Sequence, residues 1–134
     1  MAHRIRSGRA GFTFVELLVV ITIIVLLVTM AIPIYTRVIL RAKEAVLHSN
    51  LTTLRTVIDN YTYDKGKAPQ SLQDLVSEGY LRALHMDPMN NNSTDWRTVM
   101  EDASQAASQS EPGIWDVHSN SDKSSADGTP YSEW

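Results

Sequence analysis

The chain of 134 residues contains no cysteine. That excludes a disulfide and any thiolate metal site, while leaving the compartment open. Its four histidines, His3, His48, His85 and His118, fall at no metal-ligand spacing. No G-x-S-x-G elbow and no glycine-rich phosphate loop occurs, so the usual signatures of hydrolases and nucleotide-binding enzymes are missing. His118 lies near Asp116 and Ser119, but neighbours on one strand point to opposite faces, which favours surface pairing over a catalytic triad. The formal net charge of -3 argues against a nucleic-acid partner. No acid precedes Glu16, so Arg4, Arg6 and Arg9 form an uncompensated basic leader, and the remainder of the chain is acidic.

What the sequence has in quantity is apolar length. Residues Phe12 to Ile32 are almost wholly apolar, interrupted only by Thr13, Glu16, Thr22 and Thr29. As a helix this run spans roughly 31 Å, the hydrocarbon thickness of a bilayer. It therefore reads as a membrane-spanning helix. The alternative, a cleaved secretory signal, calls for an apolar region of only about 7–15 residues and a small-residue cleavage site. The one weak site of that kind is Thr29-Met30-Ala31.

Glu16 is the anomaly in the run. An ionised acid in the apolar part of a bilayer costs about 2.5–3.5 kcal/mol on insertion scales. Two readings account for it. In one, Glu16 lies close enough to the helix start to reach headgroups or water and to gain from the positive end of the helix dipole. In the other it has a cationic partner. No cation lies within the run, but a cut before Phe12 would create a free amine. Phe12 and Glu16 are four apart and share a helix face.

The stretch GFTFVELLVV, Gly11 to Val20, after a short basic leader, resembles the class III signal of type IV pilins and type II secretion pseudopilins. Pro33, about two-thirds along the hydrophobic helix, matches as well. Phe14 stands where the family more often has leucine or isoleucine, a change of volume at an apolar position. The resemblance implies cleavage by a membrane prepilin peptidase between Gly11 and Phe12, N-methylation of Phe12, and pairing of Glu16 with the amine of a neighbouring subunit. It implies an α+β, pilin-like fold in which a long N-terminal helix packs on a small antiparallel sheet. Residues 1–11 are then the leader, 12–34 the transmembrane and assembly helix, and 35–134 a stalk helix with a small globular domain. Arg37, Arg41 and Lys43 beyond the span balance the leader, so charge counting does not orient it. The resemblance places the leader inside and the C-terminal part in the periplasm, with a single pass through a bacterial inner membrane.

Beyond Pro33, which is expected to kink or locally melt the helix, Leu47, Leu51, Leu54, Ile58 and Tyr61 recur at steps of four and three. This is one apolar stripe of an amphipathic helix, widened by Val46 and Val57. Arg41, Glu44, Ser49, Arg55 and Asp59 are expected on the opposite, polar side. The segment Asp64 to Pro69 ends the helix, where Tyr61 and Tyr63 are expected to pack. Ser71 and Asp74 predict a capped helix start, and Gly79 its stop. Trp96–Met100 and Ile114–His118 read as two short strands, with an exposed loop rich in alanine, serine and glutamine between them. Met86 and Met89, flanking Asp87 and Pro88, are expected to fill gaps in the core.

The polar tail ends in Tyr131 and Trp134, which are expected to pack back onto the domain. Asp122 and Asp127 lie among serines and free carbonyls, an oxygen-only donor set suited to a hard cation. The EF-hand pattern does not fit, since Ala126 stands at the fifth loop position and Gly128 at the seventh. The major pseudopilins hold calcium in a loop at this place. The resemblance therefore implies calcium here, on the side chains of Asp122 and Asp127 with the carbonyls of Ser119 and Ser125. An adjacent second acid found in many family members is replaced by Pro130 and Tyr131.

The implied function is structural: a major pseudopilin that polymerises through its N-terminal helix to drive folded proteins outward. Its partners are other copies, the prepilin peptidase, an inner-membrane assembly platform and minor pseudopilins. The alternative is a subunit of a type IV pilus, for adhesion, motility or DNA uptake. Many such pilins close a C-terminal loop with a disulfide, which this chain cannot form. A membrane-anchored enzyme is disfavoured by the missing motifs.

Overall fold

The computed structural model describes residues 11–92 and 94–134. The basic leader expected over residues 1–11 lies, apart from Gly11, outside the described residues. One long helix, α1 (Phe14–Lys65), is followed by a short helix α2 (Leu72–Ser77), strands β1 (Trp96–Met100) and β2 (Ile114–Ser119), and a 3-10 turn at Tyr131–Glu133. The chain divides into two compact units, residues 1–39 and 40–134.

In the first unit, every described side chain is exposed. From Leu17 to Ile34 the helix is apolar on all sides, so it has no polar face to turn to water and no core of its own to enter. Its threonines are reconciled with apolar surroundings internally: the hydroxyls of Thr22 and Thr29 donate to the carbonyls of Leu18 and Val25, at 2.8 and 2.7 Å. Pro33 lies inside α1 without interrupting it, so the expected local melting does not occur. A single missing N–H leaves the flanking turns bonded, and a long helix tolerates that loss. The Thr36 hydroxyl bonds the Pro33 carbonyl at 3.0 Å on the next turn.

In the second unit, the stripe Leu47, Leu51, Leu54, Ile58 and Tyr61 is buried, as its spacing predicts. It joins Leu72 and Leu75 from α2, Met89, Trp96, Ile114, Val117 and Tyr131 in one core. Val57 packs against this core, whereas Val46 is exposed, one position off the stripe. Tyr61 packs edge-on against Tyr80, while Tyr63 points to solvent two positions away. Likewise Met89 fills the core and Met86 is exposed. In each of these three cases the residue type suggested burial and the azimuth or turn geometry denied it.

Gly66, at φ 71°, terminates α1 and donates to the Thr62 carbonyl at 2.9 Å. The Asp74 carboxylate accepts from the N–H groups of Gln70 and Ser71, so the predicted start of α2 is capped. After Gly79, the N–H groups of Tyr80 and Leu81 both donate to the Leu75 carbonyl, closing the C-terminus. Gly113 is required for a different reason. A Cβ there would fall 2.5 Å from the Ala68 carbonyl oxygen and 2.6 Å from that of Pro69, and no rearrangement of a flexible side chain could relieve that clash.

β1 and β2 pair antiparallel, Trp96 opposite Ser119 and Val99 opposite Asp116. Met100 pairs with Ile114, so Trp115 is an extra residue, a bulge in β2. Strict alternation is thereby broken: Ile114 and Val117, three apart, both enter the core, and Trp115 is turned outward at 54% exposure. The loop from residue 101 to 113 is mostly exposed, as expected. Glu101 closes its base, its carboxylate accepting from Ala107 and Gly113 N–H.

Candidate functional site

The helix start assembles the first site. Phe12 is exposed and α1 begins at Phe14. The Glu16 carboxylate accepts the Thr13 N–H at 2.9 Å, and the Thr13 hydroxyl accepts the Glu16 N–H at 3.2 Å. This reciprocal arrangement is a capping box. It satisfies two of the donors that a helix N-terminus leaves free and places the acid at the positive end of the dipole. The spacing Thr13-x-x-Glu16 is itself the sequence signal for this box. Only one carboxylate oxygen is engaged by Thr13, which leaves the other open to a further donor.

The second site is the C-terminal loop. Asp122 and Asp127 are both exposed, and neither carboxylate has a hydrogen-bond partner among the described residues. Ser119 and Ser125 are buried. The Ser119 hydroxyl donates to Asp87, itself fully buried and also accepting the Met89 N–H. The Ser125 N–H donates to the Thr129 carbonyl, and the Ser125 carbonyl accepts from Gly128 at φ 85°. The loop is thus a tight turn held by its backbone. Within it, the open donors are the two aspartates and the unused lone pairs of carbonyls. No group of three or more His, Asp or Glu suited to a metal occurs among the described residues.

Two residues of α1 clasp this tail, and both were expected on a free polar face. Glu44 accepts the Tyr131 hydroxyl at 2.8 Å and the Ala126 N–H at 3.3 Å. Burial, then the hydrogen bond to the Glu44 carboxylate, pushes the Tyr131 phenol up to about 12. Arg55 donates to Asp116 at 2.7 Å and to the carbonyls of Val117 and Trp134 at 2.9 and 2.8 Å. Their partners lie more than sixty positions away, so no local pattern announces them. Tyr131 and Trp134 pack edge-on against each other, and Tyr131 is buried, as the aromatic tail predicts. His118 bonds the Trp134 carbonyl and lies 3.2 Å from Asp116. Ser119 turns instead to Asp87, so the three residues do not assemble a nucleophile–base relay.

The description "prokaryotic N-terminal methylation motif" matches residues 6–32, which contain Gly11, Phe12 and Glu16. The chain is 32% identical over 89 residues to a type IV major fimbrial protein, FimA, of Dichelobacter nodosus, covering 66% of this chain and 56% of that protein. It is 34% identical over 76 residues to the type II secretion system core protein G of Xanthomonas campestris pv. campestris, covering 54% and 51%. The chain thus spans about half the length of these curated relatives. No solved structure matches. The chain therefore carries the N-terminal methylation motif of type IV pilins and is homologous to a type IV fimbrial protein and to a type II secretion protein G.

Proposed function

We propose that this chain is a structural, non-catalytic subunit of a type II secretion pseudopilus, anchored by a single pass in the bacterial inner membrane with its C-terminal unit in the periplasm. In this reading a prepilin peptidase cuts between Gly11 and Phe12 and methylates the new amine. Copies then polymerise through the N-terminal helix, with the aid of an assembly platform and minor pseudopilins, and the growing filament pushes folded proteins outward. The observation that carries the reading is a helix exposed from Phe14 to Ile39 and apolar on all sides from Leu17 to Ile34, with one acid at its start. Such a surface needs lipid or other helices around it. The free oxygen of Glu16 suits the terminal amine of a neighbouring copy, and Pro33 gives the helix a point of yielding as it leaves lipid for the filament. The fimbrial relative supports a second reading, a type IV pilus subunit, since the two likenesses are nearly equal.

Mass spectrometry of the native N-terminus tests the processing step, with a methylated Phe12 as the expected first residue. Glu16→Ala should leave insertion intact and reduce filament yield by at least about tenfold, the loss expected of an apolar-phase ion pair. Unchanged assembly would remove the pairing. Surface filaments formed by this chain alone would favour the pilus reading.

Calcium in the C-terminal loop belongs to the same proposal. Asp122 and Asp127 supply the charge, and carbonyls such as those of Ser119 and Ser125 the neutral oxygens. Occupancy stabilises the folded state by mass action, so a chelator is expected to lower the Tm of the second unit. An Asp122→Asn, Asp127→Asn variant should lose that response; an unresponsive wild-type chain would end the calcium proposal.

A further inference from the structure

The charges of the chain are unevenly placed. From Gly11 to Lys43 the only acid is Glu16, while Arg37, Arg41 and Lys43 are exposed. From Glu44 onward fourteen acids face six lysines and arginines, a net of eight negative charges. Among the described residues, none of the three early cations forms an ion pair. Arg37 and Arg41 are four apart and share one helix face.

A complementary feature lies on the second unit. The bulge turns Trp115 outward beside a surface recess whose other walls are Arg55, Asp59, Asp116, His118, Glu133 and Trp134. Asp116 is already engaged by Arg55 and His118. Asp59 and Glu133 are exposed and have no hydrogen-bond or ion-pair partner among the described residues. Two uncommitted carboxylates around an exposed indole form a receptor for a guanidinium. The acids match its planar fork of donors, and the ring face attracts its charge.

We propose that the Trp115 recess receives Arg37 and Arg41 of a second copy of this chain, a contact that rests on the filament reading above. Anionic lipid headgroups would also satisfy the arginines, but they leave the exposed tryptophan and its free acids without an occupant. A second copy accounts for both at once. Arg41 and Asp59 lie on the same helix eighteen positions apart, about 27 Å of rise. Parallel copies staggered by that distance bring the cation of one level with the acid of the other. The contact joins two different surfaces, so it does not close on itself and repeats from copy to copy along a filament.

The test uses the full chain in its membrane, with filament yield and cross-linking as readouts. Because the chain has no cysteine, the pair Arg41→Cys and Glu133→Cys reports this contact alone, and oxidation is expected to give a ladder of dimers and higher species. Arg37→Glu with Arg41→Glu should lower filament yield by about tenfold or more, and Asp59→Arg with Glu133→Arg should do the same. Combining all four reversals should restore the yield to within about twofold of the unaltered chain. That rescue also excludes misfolding as the cause of the single losses.

Full filament yield without a 41–133 ladder would overturn the contact while leaving the filament reading standing. Loss on reversing the arginines, with no loss on reversing Asp59 and Glu133, would assign the arginines to lipid and overturn it too. An unaltered chain that forms no filaments would remove the filament reading, and the contact with it.

Discussion

One helix meets two environments within its own length. From Phe14 to Ile39 every side chain of α1 is exposed; from Leu47 to Tyr61 five side chains are buried to 7% or less. Both segments are rich in leucine, isoleucine and valine. They differ in arrangement. The first is apolar on every side from Leu17 to Ile34, more surface than one small unit can cover. The second confines its core residues to a stripe spaced by four and three, narrow enough for α2, the sheet and the returning tail to cover. Pattern, rather than apolar content, decides whether a helix completes itself within its chain or depends on lipid or other copies.

The sharpest way to break this comparison is to make one substitution in both segments. Leu54→Ala should cost about 2–5 kcal/mol of unfolding free energy, since it opens a cavity in a closed core. Leu27→Ala, at a residue 63% exposed, should change the same quantity by less than about 0.5 kcal/mol. Denaturant unfolding of the full chain in detergent measures both. Equal losses would mean that the two segments are not distinct in packing.

A smaller effect sharpens the account of the second segment. Arg55→Met keeps the aliphatic stem and removes three hydrogen bonds; with the guanidinium partly exposed, a cost of about 2 kcal/mol is expected. Adding Asp116→Asn to that variant should cost little more, because its main partner is already gone. Additive losses would show that the two side chains act independently.

The smallest effect comes from Tyr131→Phe, about 1 kcal/mol at neutral pH for one hydrogen bond. Its pH dependence is more telling. The folded phenol titrates near 12, above its ordinary value of 10.0. Stability from this group is therefore complete below pH 10.0 and declines as pH rises toward 12, where the unfolded chain has lost the proton and the folded chain still holds it. Melting curves across that window should be flatter for the phenylalanine variant. An identical alkaline decline in both would place the linkage on other tyrosines.

Much of the second unit was legible in local sequence. The stripe, its end in the Asp64–Pro69 segment, the Ser71–Asp74 helix start, the Gly79 stop, the two strands and the aromatic tail each follow from signals within a few positions. What escaped was set by partners far along the chain. Glu44 and Arg55 look like solvent-facing charges until the tail returns to them. Gly113 looks like an ordinary loop glycine until Ala68 and Pro69 crowd its Cα. The bulge at Trp115 depends on how β1 registers against β2, and no alternation pattern reveals it.

Sequence alone determined the membrane-length apolar run, the acid at its head, and the placement of one amphipathic stripe, because helical periodicity and hydropathy act over neighbouring residues. Only the tertiary structure decided which charged groups clasp the tail, which aspartates remain uncommitted, and that Trp115 faces outward. Those outcomes depend on chain segments meeting across tens of residues, where burial and hydrogen-bond satisfaction are settled jointly rather than position by position.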